Sequence, residues 1–434
     1  MSYGPTRLVT GLVLASFVVA TASAAAADPL VGVTVRVVPP LRGGDTTSLT
    51  PDVSKDGRYV VFDSGADGIV PGDTNGSHDV FVTDTTTGAV SAVSVPTGGG
   101  APVGGTGGWS WGGPRITSDG RYVAFTADSD TLVAGDTNDV EDGYVRDLRE
   151  GTTTRVTLGR GGVQGDAPAV DPVVSDNGRY VVFESGSSNV VPGFSTGLVG
   201  HTYRRDLRTG TVVAVDVKPD GKADPAGGSW GGSDMSADGR YVVFTSSSPV
   251  LSDTKFATSG LSRVYRRDLT TGITKAVSPA GATGHSRAAR VSTDGRYVAY
   301  NQFVAADWHV FVWDAATGKN TQVDTRSTGG TPRDESAGEP TISADGRYVA
   351  FAHEDSLDRA PTAHGQVYVK DRSTGSVRLA SVSPSGQPGN ALSHTAAITP
   401  DGRSVAFVSE ADNLVAGDIE EPNSPGEVFL RRGQ

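Results

Sequence analysis

The sequence predicts an all-β chain, a seven-bladed β-propeller of four-stranded antiparallel blades closed by an N-terminal strand that completes the last blade. Three observations predict it. One turn-and-strand line recurs seven times, the strand in that line is bulky and apolar on both faces, and the two ends of the chain hold complementary parts of one repeat.

The recurring line reads SKDGRYVVF, TSDGRYVAF, SDNGRYVVF, SADGRYVVF, STDGRYVAY, SADGRYVAF and TPDGRSVAF, with its turn glycine at Gly57, Gly120, Gly178, Gly239, Gly295, Gly346 and Gly402. Successive copies lie 51 to 63 residues apart, and the excess over a minimal repeat falls in loops that differ between copies. Each copy reads as four strands. A short lead such as Arg115-Ile116-Thr117 reaches Asp-Gly, a tight-turn pair in which glycine takes positive φ at little cost. RYVVF follows as the second strand. The third is Val80-Phe81-Val82 and its counterparts, and a Thr-Gly turn (Thr87-Gly88, Thr209-Gly210) leads to an outer strand such as Arg155-Val156-Thr157.

In the second strand Tyr59 and Val61 point to one side and Val60 and Phe62 to the other, so both faces need cover. A two-layer sandwich would leave one face polar. Blades stacked face to face cover both. The seventh copy stops after Val428-Phe429-Leu430, while Val33 to Val37 precede the first copy with no repeat of their own. The N-terminal strand is therefore expected beside Val428 to Leu430, which would also protect a free sheet edge.

Residues 1–27 read as a cleaved signal peptide: Arg7 gives a positive start, Leu8 to Ala20 an apolar stretch short for a bilayer span, and Ala22-Ser23-Ala24 and Ala25-Ala26-Ala27 small-residue cleavage patterns. The alternative is an N-terminal anchor. Residues 28–434 are expected to form one propeller domain, monomeric, secreted and without stable membrane insertion. A net charge of −12 gives no basic excess for a phosphate backbone, which argues against nucleic acid. The count of 0 cysteines excludes disulfides and thiolate chemistry.

The S-x-D-G-R-Y-V-x-F core, with its V-Y/F-V-x-D strand and Thr-Gly turn, resembles the WD40-like PD40 repeat of the TolB family from about Val33 to Arg432. The resemblance implies a propeller and does not choose a function. TolB itself looks like a mixed-fold domain joined to a six-bladed ring, so its role is not carried over to seven copies. Propeller peptidases are similar in their repeats and add an α/β-hydrolase domain, for which no residues remain.

The repeated Asp-Gly-Arg triplets are explained by turn chemistry, and Asp84, Asp147, Asp206, Asp268, Asp314 and Asp371 by a recurring hydrogen bond that holds each blade. Gly108-Trp109-Ser110-Trp111-Gly112 and Gly227-Gly228-Ser229-Trp230-Gly231 match G-x-S-x-G by letter, yet neither sits between a strand and a helix as a nucleophile elbow must. The seven histidines show no metal-binding spacing. A Ser-His-Asp set assembled between blades is a matter of geometry.

Binding residues are sought in the long loops between second and third strands and between blades, which share one face. Two patterns stand out there. Asp73, Asn75 and Asp79 in the first blade and Asp136, Asn138 and Asp142 in the second offer hard oxygens for calcium, or alternatively order the loop through Asx turns; Asp418, Glu420, Glu421 and Glu427 repeat the acidity in the seventh. Trp109, Trp111, Trp230 and Trp308 place indoles where they can stack on a sugar, grip a peptide or plug the channel. The expected function is a non-catalytic binding or scaffold propeller recognising a protein or carbohydrate. The alternative is an extracellular hydrolase or lyase working through carboxylates on the same face. No cofactor beyond calcium is expected.

Overall fold

Each Asp-Gly-Arg line folds into a hairpin whose atoms close the turn upon themselves. In the computed structural model, which describes residues 1, 32–38, 50–104, 113–194, 200–224, 227–229, 231–326, 337–354, 356–357, 364–416 and 426–433, Asp56 Oδ1 accepts from the Ser54 hydroxyl at 2.8 Å and the Arg58 amide at 3.0 Å. Ser54 Oγ in turn accepts from the Tyr59 amide at 3.0 Å. Gly57 stands at φ +68°, where a side chain would be strained.

The hairpins build seven four-stranded antiparallel sheets. Strand β1 (Thr34–Arg36) comes first. Blade 1 holds β2 (Asp52–Val53), β3 (Tyr59–Ser64), β4 (Asp79–Asp84) and β5 (Ala89–Ala92), and blade 2 holds β6 (Arg115–Ile116), β7 (Tyr122–Ala127), β8 (Asp142–Asp147) and β9 (Thr152–Arg155). Blade 3 holds β10 (Ala169–Val174), β11 (Tyr180–Ser185), β12 (His201–Asp206) and β13 (Val212–Ala214), and blade 4 holds β14 (Asp234–Met235), β15 (Tyr241–Ser246), β16 (Arg263–Asp268) and β17 (Ile273–Ala276). Blade 5 holds β18 (Ser286–Val291), β19 (Tyr297–Val304), β20 (Asp307–Asp314) and β21 (Lys319–Gln322), and blade 6 holds β22 (Thr341–Ile342), β23 (Tyr348–His353), β24 (Gln366–Asp371) and β25 (Val377–Leu379). Blade 7 is β26 (Ser393–Ile398), β27 (Ser404–Ser409) and β28 (Glu427–Arg432), with β1 as its fourth strand: Thr34 lies opposite Arg431, and Arg36 opposite Phe429. The outer strand of blade 2 starts three residues before the Arg155 at which the sequence placed it, because the Thr-rich segment 152–155 continues the ladder.

The two faces of β3 are covered as the residue pattern demands. Val60 and Phe62 pack with Ala406, Val408, Val428 and Leu430 of blade 7. Tyr59 and Val61 pack with Val123 and Phe125 of blade 2. Five further apolar clusters fill the other junctions, so every blade is clamped between two neighbours. Each fully buried Val or Phe contributes about 1.5–3 kcal/mol. Packing carries the fold, as it must without disulfides.

On the turn face the repeat's arginine folds back. Arg58 lies 4.8 Å from the Tyr59 ring centre and 2.8 Å from Asp84, whose other oxygen accepts from the Thr86 amide. The same pair recurs as Arg121 with Asp147, Arg179 with Asp206, Arg240 with Asp268, Arg296 with Asp314 and Arg347 with Asp371. Asp84 and its counterparts thus pin the second strand to the third and cap the following turn.

Candidate functional site

The innermost strands surround a central cavity of about 120 Å3. One ring position, occupied by Asp52, Arg115, Val173, Asp234, Arg290 and Thr341 in blades 1 to 6, lines it. Here amides on the innermost strands of blades 2, 5 and 7 face the preceding blade, whose side chains meet them. Asp52 accepts from the Ile116 amide at 2.9 Å, Asp234 from Val291 at 2.9 Å and Thr341 from Ile398 at 3.1 Å. Arg115 stands 3.4 Å from Asp52 and 3.7 Å from Asp234, spanning blades 1, 2 and 4. Arg290 donates to the Ala289 carbonyl at 3.2 Å, and its Nε has no partner. Most of this charged girdle is spent on joining blades; Arg290 keeps donor capacity toward the cavity.

Beside the girdle lies a buried carboxyl. Glu184 is 1% exposed, and its Oε1 has no hydrogen-bond partner. Burial, with the Asp171 and Asp216 carboxylates nearby, pushes its pKa well above the ordinary carboxyl range. At the same strand position Thr126 accepts from the Asp171 amide, and Asn301 donates to the Gly338 carbonyl, each fastening the chain that enters the next blade. Asp171 takes φ +53° at a bulge where β10 slips register against β11, and it borders a small recess with Arg115 and Arg290. Sequence reasoning missed Glu184 and Asp171. The signal was present in RYVVFES, the only copy with a glutamate after its aromatic.

Ser229, one of the two G-x-S-x-G serines, donates to Asp216 at 2.9 Å, and His201 Nδ1 meets the same carboxylate at 2.8 Å. The aspartate stands between serine and histidine, so the histidine is not placed against the serine as a Ser-His-Asp triad requires. His201–Asp216 instead repeats a bond found at that register elsewhere: Asp79 with Ser94 at 2.7 Å, Asp142 with Thr157 at 2.6 Å, His309 with Asp324 at 2.8 Å and Gln366 with Ser381 at 2.7 Å. Each ties the start of a third strand to the end of an outer strand. In blade 7 the partner of Glu427 is Arg36 of β1, at 2.9 Å.

The acidic loops of blades 1 and 2 are superimposable in sequence at an offset of 63 residues, yet their surroundings differ. In blade 2 Arg155 Nη1 bridges Asp136 at 2.7 Å and Asp142 at 3.2 Å, Gln164 donates to Asp136 at 3.2 Å, and the Tyr144 hydroxyl bonds Asp136 closely. Asn138 donates to Asp142 at 3.4 Å and to the Gly165 carbonyl at 3.1 Å. These carboxylates therefore already hold a cation. In blade 1 Asn75 repeats its part, donating to Asp79 at 2.9 Å and to the Pro102 carbonyl at 3.3 Å. Asp73 is 2% exposed, and its Oδ2 has no partner. Among the described residues no three His, Asp or Glu side chains gather as a metal-binding group.

Trp308 belongs to a strand and not to a loop. It opens β20 opposite Phe303, across a turn in which Ala305 and Ala306 take φ +52° and +80°. This hairpin is two residues longer per strand than its counterparts and projects on the loop face. Phe303 meets the indole edge-on at 5.3 Å, and the exposed Arg287 lies over it at 4.1 Å. Trp109, Trp111 and Trp230 lie outside the described residues, as do Asp418, Glu420 and Glu421.

No protein-family model matches the chain, and no curated protein matches it in sequence. Solved structures do. An oligogalacturonate lyase in complex with manganese is 13% identical with a TM-score of 0.55, over 92% of this chain and 93% of that one. The β-propeller domain of the Trilobed protease from Pyrococcus furiosus is 12% identical with a TM-score of 0.53, over 90% and 94%. The chain is a β-propeller. TolB from Acinetobacter baumannii is 15% identical with a TM-score of 0.42, over 87% of this chain and 80% of that one. The lyase and the protease share this propeller's fold, and at such identities function does not travel with fold. Among the described residues no helix of the propeller is long and apolar enough to cross a membrane.

Proposed function

We propose that this propeller is exported and serves as a binding or scaffold protein, taking a protein or glycan on its loop-rich face. The N-terminal pattern of Arg7, an apolar stretch and small residues supports export. The projecting β19–β20 hairpin carries the binding reading. Its Phe303, Trp308 and Arg287 form an aromatic and cationic platform, the kind of surface that holds sugar rings and peptide side chains. The residues common to all blades, by contrast, are occupied in holding blades together. The full chain is tested on a glycan array and a displayed peptide library. Binding that falls at least tenfold in Trp308→Ala, at unchanged Tm, supports the reading. Equal binding by both proteins removes the platform, and no binding to either library overturns the proposal.

Glu184 favours a second reading, an enzyme acting on extracellular polymers. A buried carboxyl whose pKa is raised by burial and by nearby carboxylates is how general acids are set up. Release of new chain ends from polysaccharides, lost in Glu184→Gln at unchanged Tm, would establish it in place of the first.

A further inference from the structure

Blade 1 keeps both carboxylates of the blade 2 loop and loses the guanidinium, the phenol and the amide that satisfy Asp136. At the offset of 63 residues, Tyr144 becomes Phe81, Arg155 becomes Ala92 and Gln164 becomes Ala101. The strand registers confirm the equivalence: Phe81 lies opposite Phe62 and Ala92, as Tyr144 lies opposite Phe125 and Arg155. The loop backbones agree too, since Gly76 and its counterpart Asp139 take φ +65° and +53°. What remains is Asp73, 2% exposed with Oδ2 unpartnered, beside Asp79, whose oxygens face Ser94 and Asn75. Burial raises the pKa of both groups, and the nearby Asp79 carboxylate raises that of Asp73 further. A buried carboxylate without a counter-charge costs several kcal/mol.

We propose that a calcium ion takes the place in blade 1 that the Arg155 guanidinium occupies in blade 2, held by the Asp73 and Asp79 carboxylates. Loop carbonyls and water complete a hard-oxygen shell. Two carboxylates and no third make a weak site, in the range of extracellular modules at about 0.1–1 mM. The contrast also restricts the site to one blade: Asp136 and Asp142 take no metal, because a guanidinium fills their site.

Calorimetric titration of the full chain with calcium chloride, alongside melting in EDTA and in 10 mM calcium, tests this. A single-site isotherm and a saturable rise in Tm of roughly 2 °C or more are expected. Asp73→Asn should abolish both. Phe81→Tyr with Ala92→Arg, which installs the internal cation of blade 2, should melt in EDTA at or above the wild-type temperature and no longer respond to calcium. Wild type showing neither heat nor a Tm shift would overturn the proposal and leave a buried water at Asp73. So would a calcium response that survives the Phe81→Tyr, Ala92→Arg exchange.

Discussion

Tyr59 lies against Gly120, the turn glycine of the following blade, so closely that a Cβ on Gly120 would stand 2.4 Å from Tyr59 Cδ2. The contact recurs from blade to blade: Tyr122 against Gly178, Tyr180 against Gly239, Tyr241 against Gly295, Tyr297 against Gly346 and Tyr348 against Gly402. At the junction of blades 7 and 1 the tyrosine is replaced by Ser404, and a Cβ on Gly57 would meet its Oγ at 3.5 Å, an ordinary contact. The turn glycine therefore answers to two demands, and only one of them holds at Gly57.

Alanine at these two positions separates the demands. Gly57→Ala should cost about 1–2 kcal/mol, the strain of a side chain at φ +68°. Gly120→Ala carries the same strain at φ +72° and must also push a ring out of a packed junction, for a further 1–3 kcal/mol or so. Urea unfolding of both variants gives the comparison. Equal losses would show that the tyrosine ring yields freely.

The arginine and aspartate pairs of the turn face predict acid sensitivity. The Arg179 guanidinium holds Asp206 down at about 2, and Arg296 holds Asp314 at about 2; Asp84 and Asp268 lie below the ordinary range for the same reason. An unfolded aspartate titrates near about 3.9, so as pH falls the unfolded chain takes up protons first. The stability these groups supply is complete above that value and drains away as pH drops toward 2. Urea midpoints between pH 5 and 2.5 should fall, less steeply in Asp206→Asn. Parallel curves for the two proteins would refute the coupling.

Much of this architecture was legible in the sequence because it is written in side-chain alternation. Tyr59 and Val61 against Val60 and Phe62 define two buried faces without knowledge of what covers them. Trp308 was misplaced because its turn is built from Ala305 and Ala306, which carry none of the glycine marks that identify positive-φ positions. The channel girdle escaped notice for another reason: Asp52, Arg115 and Asp234 sit in leads of two residues, and their pairing exists only when blades from distant parts of the chain meet. The difference between the acidic loops lay in Arg155, a residue far from either motif and read as an ordinary strand position.

Glu184 predicts the opposite pH trend from the turn-face aspartates. Its folded pKa is raised by burial and by Asp171 and Asp216, so the folded state binds the extra proton. Its contribution is full below the unfolded value of about 4.3 and is lost as pH rises toward the folded one. Glu184→Gln keeps the shape and removes the titration. The Tm of the variant minus that of wild type should therefore increase as pH rises above the unfolded value of about 4.3. A constant difference would show that Glu184 does not change protonation above that value.

The N-terminal strand predicts a cooperative role for seven residues. Thr34 donates to the Val382 carbonyl of blade 6 at 3.1 Å, the Val37 amide donates to Val428 of blade 7 at 2.9 Å, and the Val37 carbonyl accepts from Thr83 of blade 1 at 3.0 Å. The segment thus ties three consecutive blades, with Val37 and Val38 buried in the junction of blades 7 and 1. Arg36 meanwhile neutralises Glu427, which burial pushes above the ordinary carboxyl range. Deleting residues 32–38 removes two buried valines and leaves that carboxylate alone, a loss of about 5 kcal/mol or more. Proteolysis should then open blade 7 first, between Arg403 and Arg432, while blades 2 to 5 stay protected. A synthetic peptide of residues 32–38 added in trans should restore protection. Arg36→Gln isolates the charge: its defect should shrink as pH falls and Glu427 is protonated, whereas loss of the whole strand should persist at every pH. If the truncated chain melts with the intact one, the ring is held without this strand and the low-tyrosine junction at Gly57 is sufficient by itself.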